Sequence, residues 1–239
     1  MLDDLRALLA HTPATATRTD YAAAIVANNV LGKSTKKARE LALRHLGALY
    51  GLDTANAIFR ALRRLWPLDD AAQPILALAA ALARDPLLRG TQGYVLSHAQ
   101  GTVVTRVDLE QYLSRSHPDR FSPASLKSFA QNIAGTWTAA GILVGHRRKR
   151  RGTPAPTPVS ISLLLFLGYL EGRTGQRLFT SEWMSLLPGS PDELEALANS
   201  ASHRGLLVFM NAGGIKEVRF PGYLTPEEER IRAEASHVI

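Results

Sequence analysis

The second half of the chain repeats an order of elements found just before it: a helix, a short helix, a longer helix and a β-hairpin. In the first copy, Ser122-Pro123 predicts the start of the longer helix, because serine caps free amides and proline fits the first turn. In the second copy, Ser190-Pro191 predicts the same start, and Asn211 to Gly214 predict a hairpin turn. This order is typical of winged helix-turn-helix units, so the sequence predicts two of them in tandem.

The elements of each copy follow from the spacing of apolar residues. For the first copy the sequence predicts helices over 87–97 and 108–113, a helix from Ser122 to Gly141, and strands at 103–104 and 142–144. For the second copy it predicts helices over 163–170 and 180–187, a helix from Ser190 to Gly205, and strands at 206–209 and 215–220.

The first third of the chain predicts helices only, with Asp20 and Ser34 as N-caps and Leu41 among the inward residues. The predicted fold class is therefore mainly α, an N-terminal helical bundle followed by tandem winged helix-turn-helix units with short β-hairpins. The predicted parts are the bundle (1–85), the first winged unit (86–158), the second winged unit (159–225) and a tail (226–239) that is either a terminal helix or frayed.

Charge and composition limit the function classes. Lysine and arginine number 28 against 21 acidic residues, a net charge of +7, which favours nucleic acid as a partner, or else an anionic membrane surface. The absence of cysteine excludes disulfides, thiolate metal sites and cysteine nucleophiles.

The cellular location is predicted from two features. The acidic N-terminal residues are unlike those of an export signal. The longest apolar run, Val159 to Leu170, is shorter than the ~20 residues of a spanning helix. A cytoplasmic protein without a membrane partner is predicted.

Motifs of catalysis are missing from the sequence. The seven histidines are scattered, with no pair four residues apart and no acid at metal-ligand spacing. The chain has neither a Gly-x-Ser-x-Gly elbow nor a glycine-rich phosphate loop after a strand. The sequence therefore predicts a protein that is not an enzyme, with no metal and no cofactor.

The strongest charge feature is a run of five adjacent cations, Arg147, Arg148, Lys149, Arg150 and Arg151. Their mutual repulsion predicts that the run lies in solvent or against a polyanion and not in a core. In a wing beside the longer helix, these side chains would reach DNA phosphates or the minor groove. A solubilising basic linker is the alternative.

The helix from Ser122 is the predicted recognition helix. If Leu126, Ile133 and Trp137 are buried, short polar and amide side chains face outward, and asparagine or glutamine can pair with adenine edges while lysine suits guanine or phosphate. An ordinary surface helix would present similar residues. The predicted DNA contacts on this helix are Ser125, Lys127, Ser128, Gln131 and Asn132.

Two further charged regions carry predictions. In the bundle, Lys33, Lys36 and Lys37 begin one basic helix, and the next helix directs Arg60, Arg63 and Arg64 outward, so a second DNA-binding face is possible there. In the second winged unit, by contrast, Asp192, Glu193 and Glu195 open the longer helix and would repel phosphate. That unit is predicted to serve in dimerisation or protein docking.

Three groups of short motifs carry a family resemblance. They are Asn29-Val30-Leu31-Gly32-Lys33-Ser34 before a helix with Leu43-Arg44-His45-Leu46, then Asn132-Ile133-Ala134 with Ala140-Gly141-Ile142-Leu143, and last Gly205-Leu206-Leu207 with Val218-Arg219-Phe220. On these, the chain resembles the BrxA-type small subunit of BREX bacteriophage-exclusion systems. The resemblance implies a helical front half, winged-helix character behind it and DNA binding without catalysis, in support of host methylation and phage restriction.

The function predicted from all these features is non-enzymatic binding of double-stranded DNA, as an accessory component of a bacterial anti-phage defence system, in contact with its other subunits. Two alternatives stay open: a winged-helix transcriptional regulator, and an adaptor that binds acidic protein partners or RNA. The sequence leaves the oligomeric state open.

Overall fold

The computed structural model of the chain describes residues 1–236, with side chains to residue 234. The fold is mainly helical with two small antiparallel sheets, as predicted. Of the predicted tail, residues 237–239 lie outside the described part, and the rest forms a helix.

The N-terminal bundle contains five helices: α1 (Leu2–His11), α2 (Arg18–Val26), α3 (Lys36–Tyr50), α4 (Ala57–Leu65) and α5 (Gln73–Arg84). Two caps differ from those predicted. Thr17 caps α2, and Asp20 closes a capping box with it; Thr35 caps α3 in place of Ser34. The prediction for Leu41 is wrong, because α3 turns Ala42, Leu46 and Tyr50 inward and leaves Leu41 41% exposed.

The three arginines of α4 do not form an open basic face, contrary to the prediction. Arg63 is buried, and its guanidinium donates to the carbonyls of Leu9 at 3.2 Å and Thr12 at 2.5 Å. Arg60 pairs with Glu228, and Arg64 donates to the carbonyl of Pro221 at 2.8 Å. These guanidinium groups therefore hold α1 and the chain after residue 220 against α4.

Replacing Arg63 with methionine is expected to destabilise the protein by about 2–3 kcal/mol, because the carbonyls of Leu9 and Thr12 lose a charged donor in a buried place. Methionine keeps an apolar stem of similar reach. The exposed Arg44→Met is the matched control, with an expected cost below about 0.5 kcal/mol. Urea unfolding measures both, and equal costs would contradict the structural role of Arg63.

The first predicted winged unit covers residues 86–158. Its elements are α6 (Pro86–Arg89), α7 (Gln92–Ser97), β1 (Val103–Val104), α8 (Arg106–Ser116), α9 (Pro123–Ala139), β2 (Leu143–Val144) and β3 (Lys149–Arg151). The strands make one antiparallel sheet in the order β1-β3-β2. The single helix predicted over 87–97 is two short helices, since Asp85 caps α6 and the chain turns at Gly90 and Thr91.

The remainder of the described chain contains α10 (Pro158–Leu170), α11 (Gln176–Phe179), α12 (Pro191–His203), β4 (Val208–Ala212), β5 (Ile215–Arg219) and α13 (Pro226–Ser236). Strands β4 and β5 form the predicted hairpin. Helix α10 starts earlier than predicted, because Thr157 caps it in a capping box and Pro158 occupies its first turn.

Helix α10 is the central element of the core. Its residues 159–168 are all buried, and it packs against α4 and α5 of the bundle as well as against α12. This position explains its apolar run: a helix surrounded by other helices is apolar on all sides. Among residues 1–236, none of the helices, α10 included, combines the length and hydrophobicity that a bilayer crossing requires.

Buried residues from all parts of the described chain join one hydrophobic cluster. Polar contacts also cross between the parts: Gln92 Nε2 donates to the carbonyl of Glu182 at 2.8 Å, and the Arg89 guanidinium lies over the Trp183 ring. The bundle therefore packs against α10 of the second repeat, and the first repeat packs against α5 of the bundle, while the boundaries of these parts as domains stay a prediction.

Candidate nucleic-acid interface

Helix α9 begins where the sequence predicts. The Ser122 hydroxyl accepts from the backbone amide of Ser125 at 3.2 Å, and Pro123 fills the first turn. The ring of Phe121 packs edge-on against Phe129, with centroids 5.1 Å apart, and fixes the entry of the chain into the helix. The first turn of α9 is thus anchored by the Ser122 cap and the Phe121 ring.

The inner face of α9 is held against the protein core by burial and by a hydrogen bond. Trp137 is fully buried, and its indole Nε1 donates to the Thr91 hydroxyl at 3.0 Å. That hydroxyl in turn donates to the carbonyl of Leu88 at 2.7 Å, so the indole joins α9 to α6 and α7. Ala130, Ile133 and Ala134 complete this buried face. The outer face of α9 is therefore held in a defined direction.

The outer face carries most of the predicted DNA contacts. Lys127, Ser128, Gln131 and Asn132 are exposed, and their side chains make no hydrogen bond to another described residue. The four residues form two adjacent rows, since positions four apart lie above one another on a helix. Ser125 differs: it is half-buried, and its hydroxyl lies 3.0 Å from that of Ser122.

The outer face is not uniformly open. Its second half, from Gln131 and Asn132 to Ala140, lines a cleft of about 710 Å³ whose other walls are formed chiefly by α3 and α5, with contributions from α1 and α6. The wall of the bundle therefore faces the two amide side chains, which the sequence did not indicate. Lys127 and Ser128, one turn earlier, lie outside this cleft.

The basic run forms the turn and the second strand of the predicted hairpin. Strands β2 and β3 pair antiparallel, with Val144 opposite Arg150, and residues 145–148 make the turn. Gly145 has φ of +105°, and a Cβ there would lie 2.6 Å from the carbonyl oxygen of Arg148. A turn this tight requires glycine at position 145.

The five cations of the run have different surroundings. Arg147 and Arg148 are exposed in the turn, and no ion pair within residues 1–236 includes either of them. Arg150 is exposed as well, although its Nη1 donates to the carbonyl of Gly101 at 3.0 Å. Lys149 is half-buried, with Nζ 3.5 Å from the carbonyl of Gly145. The turn therefore presents the most accessible positive charge of the run.

Arg151 does not lie free in solvent, which corrects the expectation that the whole run does. It is half-buried in β3, opposite Leu143, and its guanidinium donates to the carbonyls of Ile142 and Gly152. Burial lowers the pKa of this guanidinium from its usual value. Arg151 can join the sheet because backbone carbonyls replace the water that a solvated guanidinium would bind.

The N-terminal basic residues do not share one environment either. Lys33 Nζ lies 2.7 Å from the Asp4 carboxylate, and this partly buried ion pair joins the loop before α3 to α1. Lys36 is exposed and lies 3.9 Å from Glu40, one turn further along α3. Lys37 is exposed without a recorded partner among the described residues. Lys33 thus has a structural contact with α1, and its predicted DNA contact stays a prediction.

Two of the carboxylates in the first turns of α12 make contacts within the second repeat. Glu193 closes the capping box with Ser190, whose backbone amide and hydroxyl lower the pKa of the Glu193 carboxyl. Glu195 pairs with Lys216 of β5, and Asn211 Nδ2 donates to Glu195 at 3.1 Å. Asp192 is exposed. These carboxylates would repel a phosphate backbone.

The structure also contains a feature that sequence reasoning missed, the cleft between α9 and the bundle. It depends on residues far apart in the chain, such as Tyr50 and Gly135, so no local motif indicates it. Within residues 1–236, no group of histidine and acidic side chains is placed to hold a metal ion.

Comparisons with known proteins found no match: no family model matches the chain, and neither a curated protein nor a solved structure is detectably similar to it.

Proposed function

We propose that residues 86–151 form a winged helix-turn-helix unit that binds duplex DNA without catalysing a reaction. The order of elements supports it: a helical segment, β1, α8, α9, and then the β2–β3 hairpin, with the strands ordered β1-β3-β2. In such units the longer helix faces the major groove and the hairpin lies alongside it. Strand β2 follows α9 directly and packs against it, which supports the assignment of the hairpin as a wing.

The observation that carries this proposal is the pair of exposed cations, Arg147 and Arg148, in a glycine-dependent turn directly after α9. An arginine pair without a carboxylate partner keeps its full charge for an external anion. Because duplex DNA is a dense row of phosphates, contacts of this kind provide affinity without sequence preference.

Base contacts are assigned to the first half of α9. Lys127 and Ser128 are exposed and lie outside the cleft, whereas Gln131 and Asn132 face the bundle across it. A duplex that admits α9 to its major groove would meet the wall of α3 and α5 at the second half of the helix. We therefore propose that Lys127 and Ser128 contact the DNA, and that Gln131 and Asn132 lie at the edge of the DNA-binding surface.

The second repeat is assigned to protein contact. Its long helix opens with carboxylates, and its hairpin exposes Met210 and Ile215, the latter 80% exposed. The accessory role in a BREX-type defence system, with other subunits as partners, is implied by the resemblance of short motifs and stays a prediction. A transcriptional regulator or an adaptor for RNA or acidic proteins would differ in the nucleic acid that it prefers.

The salt dependence of DNA binding tests the proposal. If Lys127, Arg147, Arg148 and Arg150 each neutralise one phosphate, the slope of log affinity against log salt is expected to be about −3.6, from ~0.9 per contact. Fluorescence anisotropy of a labelled duplex over a series of NaCl concentrations measures this slope for the full chain.

Single-stranded DNA and RNA of the same sequence are the comparison ligands. Tighter binding to duplex DNA supports the winged-helix assignment, and footprinting then separates a site-specific regulator from a protein with little preference. Absence of duplex binding at low salt, or tighter binding to RNA, would overturn the proposal.

A further inference from the structure

The cleft between α9 and the bundle has the dimensions of a small-molecule site. Its volume is about 710 Å³, inside the range of ~300–1,000 Å³ that is usual for such sites. Most of its wall comes from α3 through Leu49 and Tyr50, from α5 through Ala77 and Leu78, and from α9 through Phe129, while α1 and α6 complete it. These side chains are apolar or aromatic and would bury an apolar molecule.

The lining includes polar side chains that have no hydrogen-bond partner in the described part of the chain. Tyr50 is one of them: the residue is 3% exposed, and its hydroxyl makes no hydrogen bond to any group among residues 1–236. Burial raises the pKa of the Tyr50 hydroxyl, so the group is a neutral donor at physiological pH. The side-chain amides of Gln131 and Asn132 are likewise without a protein partner in the described chain. The Tyr50 hydroxyl is therefore available to donate a hydrogen bond to a ligand.

The charges around the cleft restrict the ligand further. Of the described residues in its lining, Asp85 carries the one carboxylate, and this accepts from the backbone amides of Leu87 and Leu88 at 2.9 and 3.1 Å. No lysine or arginine belongs to the lining, and besides Asp85 and Tyr50 its titratable groups are His45 and the N-terminal amino group of Met1. The walls formed by α5 and α9 therefore offer a charged ligand group no counter-ion from a side chain.

We propose that this cleft binds an uncharged, largely apolar small molecule whose polar edge pairs with the Tyr50 hydroxyl and the amides of Gln131 and Asn132. The polar groups lie on opposite walls, Tyr50 on the bundle and the amides on α9, so one ligand bridges both. This binding does not depend on the DNA-binding function proposed above.

Nile red is a suitable probe, because it is uncharged and apolar, carries a carbonyl acceptor and fluoresces more strongly in apolar surroundings. Titration of the full chain is expected to show saturable binding at one site per chain. Gly135 offers a sharp test: it lies on the cleft, its backbone angles suit any residue, and a Cβ there meets no atom within 4 Å. Gly135→Leu then fills the cleft and is expected to weaken Nile red binding at least tenfold.

Three controls separate blocking from other effects. Gly135→Ala adds only a methyl group and is expected to bind within twofold of wild type, with a slightly higher Tm. Gly93→Leu places the same side chain on α7 outside the cleft, again with open space around the Cβ, and is expected to leave binding unchanged. Tyr50→Phe keeps the ring and is expected to weaken binding several-fold.

Ala48→Leu blocks the same space from the opposite wall, which keeps the test valid if Gly135→Leu fails to fold. Circular dichroism and Tm establish folding for each variant. A lack of saturable binding, or equal binding by wild type and both blocking variants, would show that the cleft is not a ligand site.

Discussion

Replacing Arg147 and Arg148 together with serine is expected to lower the affinity for duplex DNA about 60-fold at 0.1 M salt, because two phosphate contacts contribute ~1.8 to the log–log salt slope. The slope itself is expected to fall from about −3.6 to about −1.8. Both side chains are exposed in the turn and make no ion pair with a described residue. Stability is therefore expected to stay within about 0.5 kcal/mol of wild type.

The charge-matched control is Arg177→Ser with Arg204→Ser. Both arginines are exposed in the second repeat, one in α11 and one at the end of α12, and neither side chain has a recorded contact among the described residues. This pair removes the same net charge and is expected to change DNA affinity less than about threefold through the long-range field alone. If the two double variants lose DNA affinity equally, binding depends on the net charge of the protein and not on direct contacts of Arg147 and Arg148.

Replacing Trp137 with alanine is expected to destabilise the protein by about 3–5 kcal/mol, the usual cost of deleting a large buried aromatic side chain. The indole is fully buried, and its Nε1 is the donor that joins α9 to Thr91. Loss of the indole removes both the packing of α9 and this hydrogen bond. Since α9 carries the proposed DNA contacts, the variant is also expected to bind duplex DNA more weakly at temperatures where part of the population is unfolded.

Trp137→Phe separates the two contributions. Phenylalanine keeps most of the apolar volume but cannot donate to Thr91, so a loss of about 1–2 kcal/mol is expected. Urea unfolding followed by far-UV circular dichroism measures both variants, and an unchanged m value would show that the comparison is between similar unfolded states. A cost below about 1 kcal/mol for Trp137→Ala would contradict the anchoring role of the indole.

Much of the local structure could be predicted because its causes are local. Ser122 and Ser190 cap the long helices, since a hydroxyl followed by proline satisfies the first turn whatever surrounds it. The β4–β5 hairpin follows from alternating residues and a glycine turn. The exposure of Arg147 and Arg148 follows from the repulsion of adjacent cations.

The prediction that Arg63 faces outward failed because its partners come from a distant part of the chain. Arg63 lies inside, where the carbonyls of Leu9 and Thr12 accept hydrogen bonds from its guanidinium. Lys33 also has a distant partner, Asp4 of the first helix, whereas Arg151 donates to the carbonyl of Ile142, only nine residues away in its own sheet. Spacing along a helix shows which residues share a face, but it does not show what that face meets.

The amino-acid sequence by itself determined most of the helices, the caps of the two long helices α9 and α12, the β4–β5 hairpin and the placement of a basic turn after α9, because each depends on residues that are neighbours in the chain. Only the tertiary structure decided which cations remain available to a polyanion, and that Gln131 and Asn132 face the bundle across a cleft. The physical reason is that hydrogen bonding and packing between distant segments set the surroundings of each side chain. The accessible positive charge of the basic run therefore lies chiefly at Arg147 and Arg148, where no distant segment supplies a partner within the described chain.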